Sequence, residues 1–133
     1  MSQMFSELLD MANQQDEPQR LLFLFTEAEG NKKASKANGK NPQRGLITPK
    51  MCVDKLPSEL GDYKDLVKEA DSINSDWDFV FIAGLSGQNG KPPSSEEADQ
   101  YLNKMTNDVA SGQNIARYVV FDREGNPIEL MVN

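Results

Sequence analysis

The sequence predicts a single α/β domain, residues 1–133, in which three helices pack on a five-stranded mixed sheet. Two apolar runs rich in aromatic and β-branched residues, 21–27 and 77–84, have the composition of central strands. Three longer segments repeat apolar residues every three or four positions, as amphipathic helices do. The length of 133 residues and the hydrophobic content of 38% suit one domain with its own core. The predicted order of elements is α-β-β-α-β-α-β-β.

The N-terminal part predicts a surface helix followed by a central strand. The helix covers residues 4–14, and five apolar residues recur there at helical spacing: Met4, Phe5, Leu8, Leu9 and Ala12. Pro18 prevents this helix from continuing. The run 21–27 is apolar on both alternating faces until its end, which favours a strand that is covered on both sides.

A loop and an edge strand are predicted next. Residues 28–45 are rich in Gly, Asn, Lys and Ser and have almost no apolar surface to offset the entropy of ordering, so we expect a mobile loop. The following strand, over residues 46–54, contains Pro49, which cannot donate to a sheet ladder. We therefore place this strand at an edge of the sheet or expect it to be interrupted.

Two further helices flank the second central strand. The segment 57–73 has helical periodicity, although Gly61 weakens its first turn. Its buried face is expected to hold Leu60, Tyr63, Val67, Ala70 and Ile73. The third helix follows a capping box formed by Ser94 and Glu97. Its buried face is expected to hold Ala98, Tyr101, Leu102, Met105 and Val109.

The C-terminal segments 116–122 and 127–132 flank the turn sequence REGN and predict an antiparallel hairpin. Strands joined through helices are expected to be parallel neighbours. If the runs 21–27 and 77–84 are parallel, the loops 28–45 and 84–95 leave the sheet at the same edge. Open α/β sheets commonly bind ligands at such an edge.

The charge of the chain is unevenly distributed. The formal net charge is −7, yet residues 30–53 contain six basic residues and no acidic one. The rest has eight basic against 21 acidic residues, a charge of −13, which argues against general nucleic-acid binding. No window approaches the roughly 20 apolar residues of a membrane span, and the first residues do not resemble a secretion signal. With a single cysteine, we expect a cytoplasmic protein without disulfides.

The catalytic options are narrow because the chain has no histidine. Ser-His-Asp and Cys-His arrangements are excluded, which leaves Cys52 as the candidate catalytic or redox-responsive residue. Its apolar strand predicts a buried thiol, which would need a nearby cation or a helix N-terminus to become reactive. The carboxylate pairs Asp76–Asp78 and Glu27–Glu29 each share a strand face, but they are interpreted as solubilising charges. No metal or cofactor is predicted.

The glycine-rich segment 83–97 is the candidate ligand-binding loop. It is not a nucleotide P-loop, because Leu85 stands where the first glycine belongs and Pro92 replaces the Ser/Thr. The simpler interpretation is a strand end, a turn and a helix cap. An anion site stays open, because a helix N-terminus after Gly and Lys favours negative charge. The candidate ligand-binding residues are Gly87, Gly90, Lys91, Ser94 and Ser95, with Lys32 and Lys33 from the facing loop.

Four segments together resemble a family of short, uncharacterised bacterial proteins, some of which carry the automatic label "ribonucleotide reductase subunit alpha". They are EPQRLLFLF (17–25), MCVDK (51–55), AGLSGQNGKPPSSEEA (83–98) and FDREGNPIEL (121–130). The large subunit of such a reductase uses one cysteine as a thiyl radical and a cysteine pair as reductant. Cys52 alone cannot fill these roles, so the resemblance implies no site residues.

The function expected from the sequence is that of a small cytoplasmic, non-enzymatic binding or accessory protein. It would contact an anionic ligand or a protein partner at the edge formed by loops 28–45 and 84–95. The alternative is a histidine-free enzyme or redox-responsive protein that uses Cys52 or a strand-end carboxylate. A third interpretation is an oligomer that associates through an apolar helix face or an edge strand, so both a monomer and a homodimer are compatible with the sequence.

Overall fold

A computed structural model describes residues 3–28, 47–112 and 118–128. These residues form three α-helices and four strands, with one 3-10 turn at Pro57–Glu59. In chain order the elements are α1 (Gln3–Asn13), β1 (Gln19–Ala28), β2 (Ile47–Lys55), α2 (Tyr63–Ile73), β3 (Phe79–Ser86), α3 (Ser95–Ser111) and β4 (Val119–Asp122). The three predicted helices are confirmed.

The strands form one sheet in the order β2-β1-β3-β4, and every strand pairing in it is antiparallel. The prediction that β1 and β3 are central is confirmed. The prediction of a mixed, five-stranded sheet is wrong for the described residues, which show four strands and no parallel pair. Of the predicted fifth strand, Pro127 bridges Phe121 and the Ile128 amide donates to the Val120 carbonyl. Residues 129–132 of that strand lie outside the described part of the chain.

The antiparallel order follows from how the helices cross the sheet. Strands β2 and β3 are both antiparallel to β1, so they are parallel to each other, but β1 lies between them. Helix α3 begins beside β2, where Ser95 bonds Asp54, and its Asp108 accepts from Tyr118 next to β4. The helix therefore crosses the strands, and β4 starts from the same end of the sheet at which β3 ends.

Both faces of the sheet are covered by helices. On one face α1 and α2 bury a cluster of aromatic side chains that includes Phe5, Phe23, Phe25, Trp77 and Phe121. On the other face α3 buries Leu102 and Met105 against Leu22 and Phe81. Alternate residues of β1 thus enter opposite cores, which explains why residues 21–25 are all apolar.

The helix boundaries follow the capping residues. The predicted segment 57–73 divides into the 3-10 turn and α2, because Asp62 accepts from the Asp65 amide as the N-cap of α2. The predicted capping box of α3 is confirmed, with Ser94 as N-cap and Glu97 as its partner. Two residues expected to be buried are not, since Ile73 is 64% exposed and Tyr101 is 53% exposed.

The prediction that Pro49 marks an edge strand is confirmed. Strand β2 is the outer strand of the sheet, and the pairing register shifts between Phe25 and Thr26, opposite Pro49. An irregular edge that contains Pro and Lys resists pairing with other sheets. The predicted mobile loop 28–45 begins at Ala28, which is the last residue of β1; its remaining residues lie outside the described ranges.

The predicted turn at REGN is present after β4. The Asp122 carboxylate accepts from the amides of Glu124 and Asn126, and Gly125 has a φ of 87°. Partial burial raises the pKa of Asp122, but hydrogen bonds from Asn126, Glu124 and Gly125 lower it by a larger amount. The pKa of Asp122 is therefore lowered overall. Arg123 in this turn stacks 4.4 Å from the centre of the Trp77 ring, which anchors the turn to the core.

Candidate functional site

The two loops expected to form a joint anion site start from opposite ends of the sheet. Because β1 and β3 are antiparallel, Gly84 lies opposite Leu21 near the start of β1. Strand β1 ends at Ala28, beside Ile47 of β2, at the other end of the sheet. The expectation of a shared edge rested on parallel strands and is wrong.

Backbone amides of the glycine-rich loop form hydrogen bonds within the protein. The Gly87 amide donates to the Pro18 carbonyl over 2.8 Å, and Gln88 and Lys91 close a tight turn through mutual amide-to-carbonyl bonds. The Gly90 amide donates to a carboxylate oxygen of Glu17 over 2.9 Å. The Gly90 amide, which the sequence suggested as a donor to an external anion, thus donates to a carboxylate of the protein itself.

The N-terminus of α3 also faces carboxylates of the protein. Glu97 accepts from the Ser94 amide, and the Ser95 hydroxyl donates to Asp54 over 3.2 Å. Arg20 joins the same cluster, since its Nη1 lies 2.6 Å from Asp54 Oδ2 and its Nε donates to the Pro93 carbonyl. These contacts tie β1, β2 and α3 together.

Of the remaining candidates for anion binding, the structure describes Lys91. Lys91 is exposed at the last position of the turn that it closes with Gln88. Lys32 and Lys33 lie outside the described residues. The structure therefore places Gly87, Gly90, Ser94 and Ser95 in one segment, but in the roles of a tight turn and a helix cap.

Cys52 is exposed on β2, so the expectation of a buried thiol is wrong. The strand is an edge strand, and Cys52 lies on the face that α3 only partly covers. Partial burial of the thiol raises its pKa, and the nearby carboxylates of Asp99 and Asp54 raise it further. The surroundings of Cys52 oppose formation of a thiolate.

We expect the alkylation rate of Cys52 by iodoacetamide to keep rising above pH 9.0, because its folded-state pKa lies above that ordinary value. Asp99→Asn removes one of the anionic neighbours that raise the pKa and is therefore expected to raise the rate at pH 7.5. The rate is measured by mass spectrometry on the folded protein. Fast labelling at neutral pH that Asp99→Asn leaves unchanged would contradict this electrostatic explanation.

One carboxylate of each predicted pair has a structural partner. Asp78 accepts from the Ala28 amide over 2.9 Å, and Lys50 pairs with Glu27 over 3.2 Å. Asp76 is exposed, and Glu29 lies outside the described ranges. Within the described residues, no group of three or more Cys, Asp or Glu residues has the geometry of a metal site.

A cleft that the sequence did not predict lies at the end of β3. Strand β4 begins at Val119, opposite Ile82, so β3 continues for four residues, 83–86, beyond this pairing. The space beside the first two of these residues, Ala83 and Gly84, is an open cleft of about 360 Å³. Its walls come from Leu8 and Met11 of α1 and from Tyr101 and Lys104 of α3.

Exposed apolar side chains are concentrated around this cleft. Met11 is 61% exposed, Tyr101 is 53% exposed and Val119 is 41% exposed, and all three line it. A cleft with apolar walls and a few placed polar groups is the usual form of a binding site. The sequence indicated the cleft only through the apolar stripes of α1 and α3. Whether an apolar residue at the margin of such a stripe is buried depends on the width of the sheet that the helix covers.

The polar groups of the cleft are held in place by neighbours. Lys104 pairs with Asp108 over 3.0 Å, and the Tyr118 hydroxyl donates to the same Asp108 oxygen over 2.7 Å. On the opposite face, the buried amide of Gln19 donates to the Ser86 hydroxyl over 2.7 Å. These hydrogen bonds fix the positions of the polar groups, while the Lys104 side chain remains half exposed.

None of the helices in residues 3–28, 47–112 and 118–128 is long and apolar enough to cross a membrane. Comparison of the chain with protein-family models, with curated proteins and with solved structures finds no match.

Proposed function

We propose that the protein is a cytoplasmic, non-enzymatic binding or accessory protein that takes apolar side chains of a protein partner into the cleft beside β3. The observation that supports this proposal is the clustering of Met11, Tyr101 and Val119 around one concave surface. Exposed apolar groups that share a cleft bind a partner more favourably than the same groups scattered over a surface.

A protein partner suits the cleft better than a small ligand because the cleft is open along its length. Aromatic residues and methionine are enriched in protein interfaces, and both types occur at its rim. Burying the exposed parts of Met11 and Tyr101 on association would remove apolar surface from water, which is the main favourable term in binding.

A non-enzymatic role fits the chemistry of the described residues. Their buried side-chain nitrogen and oxygen atoms all have hydrogen-bond partners. The carboxylate of Asp108 is held between Lys104 and Tyr118, and the pKa of Cys52 is raised, which disfavours a nucleophile there. These features support binding more than acid-base or thiol catalysis.

The proposal is tested by introducing charge at the cleft. Met11→Glu and Tyr101→Glu are expected to reduce recovery of specifically co-purifying proteins by at least about tenfold, because a carboxylate replaces an apolar group at the centre of the contact. Recovery is quantified by mass spectrometry from cells that produce the tagged protein.

Ile73→Glu is the matched control. Ile73 is 64% exposed on α2 and does not line the cleft, so the same change in charge should leave recovery unchanged. Melting temperatures of the three variants show whether each remains folded. Equal recovery with all three variants, or equal loss with all three, would overturn the proposal.

A further inference from the structure

We infer that the partner segment binds as an added β-strand along Gly84 and Ser86 of β3, an inference that rests on the proposed function. Strand β3 is paired with β1 on one edge along residues 79–86, whereas its pairing with β4 covers only residues 79–82. Beyond Ile82, no described residue pairs with the second edge. Both Gly84 and Ser86 are exposed.

The direction of the backbone groups follows from the alternation of an antiparallel ladder. The Gly87 amide donates to the Pro18 carbonyl of the β1 side, so Leu85 and Ala83 also direct their amides and carbonyls toward β1. The intervening residues, Gly84 and Ser86, direct theirs to the opposite edge.

The pairing of β4 independently indicates the same direction for the backbone groups of Gly84 and Ser86. The Asp122 amide and the Val120 carbonyl bond to residues 126 and 128, so Val119 and Phe121 face β3. Their partners Ile82 and Val80 must then face β4, and Gly84 and Ser86 share that direction. Two donors and two acceptors with strand spacing are therefore presented along the second edge of β3, and those of Gly84 lie at the cleft.

The walls of the cleft suit an extended chain. The cleft passes around the edge of β3, with Leu8 and Met11 on one face of the sheet and Tyr101 and Lys104 on the other. Alternate side chains of an added strand point to opposite faces, so they would contact α1 and α3 in turn. Gly84 has no side chain on the α1 face, which leaves room for the partner.

Charge indicates the chemistry of the partner. The described residues that line the cleft include no carboxylate and one cation, Lys104, although the whole chain has a net charge of −7. The Lys104 side chain is 52% exposed, and its ammonium can donate to a second carboxylate while it bonds Asp108. We therefore expect an extended segment with apolar residues at alternate positions and an acidic residue on its α3-facing side.

Hydrogen exchange with designed peptides tests this inference. The probe is the capped peptide Thr-Val-Glu-Val-Thr-Val-Glu-Thr, and its matched control has the same side chains but is N-methylated at every amide. Since a bonded amide exchanges only when the complex opens, the probe at millimolar concentration is expected to slow exchange of the Gly84 amide by about tenfold. The N-methylated peptide, which cannot donate to the edge, is expected to give no protection.

The contribution of Lys104 is tested with a third peptide in which glutamine replaces both glutamates. The wild-type protein is expected to prefer the glutamate peptide by about fivefold, a typical effect of one half-exposed ion pair. Lys104→Gln should remove this preference without removing protection of Gly84. A preference that survives Lys104→Gln would overturn the assigned charge of the partner.

The outcomes separate the inference from the function on which it rests. One outcome is that the probe and its N-methylated control shift the Met11 methyl signal equally while the Gly84 amide stays unprotected. The cleft then binds apolar groups without strand addition, so the inference fails and the proposed function stands. Protection at β2 instead, or at no strand, also overturns the inference. If the Gly84 amide is already protected in the free protein and light scattering gives a dimer, the occupant is a second copy of the chain and the inference of a partner peptide is wrong.

Discussion

Gly87→Ala is expected to lower the free energy of unfolding by about 3 kcal/mol, the upper range for forcing an extra carbon into a packed site. A Cβ at this position would collide with the Lys91 carbonyl and would lie 2.8 Å from the Cα of Pro92. Both neighbours are backbone atoms of the same tight turn, so neither can rotate away. Urea denaturation measures the effect as a shift of the transition midpoint at unchanged slope.

Gly90→Ala is the matched control for this change. Gly90 has a φ of +77°, but a Cβ there would meet no atom within 4 Å. Its substitution adds only the backbone strain of a left-handed alanine, about 1 kcal/mol. Equal losses for Gly87→Ala and Gly90→Ala would show that steric contact inside the turn is not what requires glycine at position 87.

This contrast explains what the sequence could and could not predict about the glycine-rich loop. The residues signalled a turn and a helix cap because both depend on local backbone geometry, and both are present. Whether the amides of the loop were available for an anion depended on Glu17 and Pro18, which are about 70 positions away in the chain. A sequence pattern does not reveal such a contact.

The same distinction holds for the sheet. The central strands and the edge position of β2 were predictable, since apolar runs and Pro49 report how each strand is covered or paired. Strand direction was not, because α2 joins β2 to β3 as parallel strands that lie on either side of β1, which makes β3 antiparallel to β1. The error moved the expected site to a shared loop edge, whereas the cleft beside Gly84 exists because β4 starts at Val119.

Arg20→Met is expected to lower the free energy of unfolding by about 2 to 3 kcal/mol, because it leaves a mostly buried carboxylate without its cation. The side chains of Arg20 and Asp54 are only 14% and 20% exposed, and their contact distance is 2.6 Å. The guanidinium also donates to the Pro93 carbonyl, so one residue holds the start of α3 against β1 and β2. Arg20→Lys keeps the charge but cannot make both contacts at once, and about half of the loss is expected to remain.

A double-mutant cycle separates the ion pair from the other contacts of Arg20. Arg20→Met, Asp54→Asn and the double variant are expected to give a coupling energy of about 2 kcal/mol, since the two groups touch in a sheltered site. Lys55→Met supplies the comparison, because its partner Glu69 is 44% exposed and such a pair contributes less than about 1 kcal/mol. The Arg20–Asp54 coupling should also persist at 1 M salt, where an exposed pair is screened. A coupling near zero would mean that the Pro93 contact, and not Asp54, explains the role of Arg20 at the junction of β1, β2 and α3.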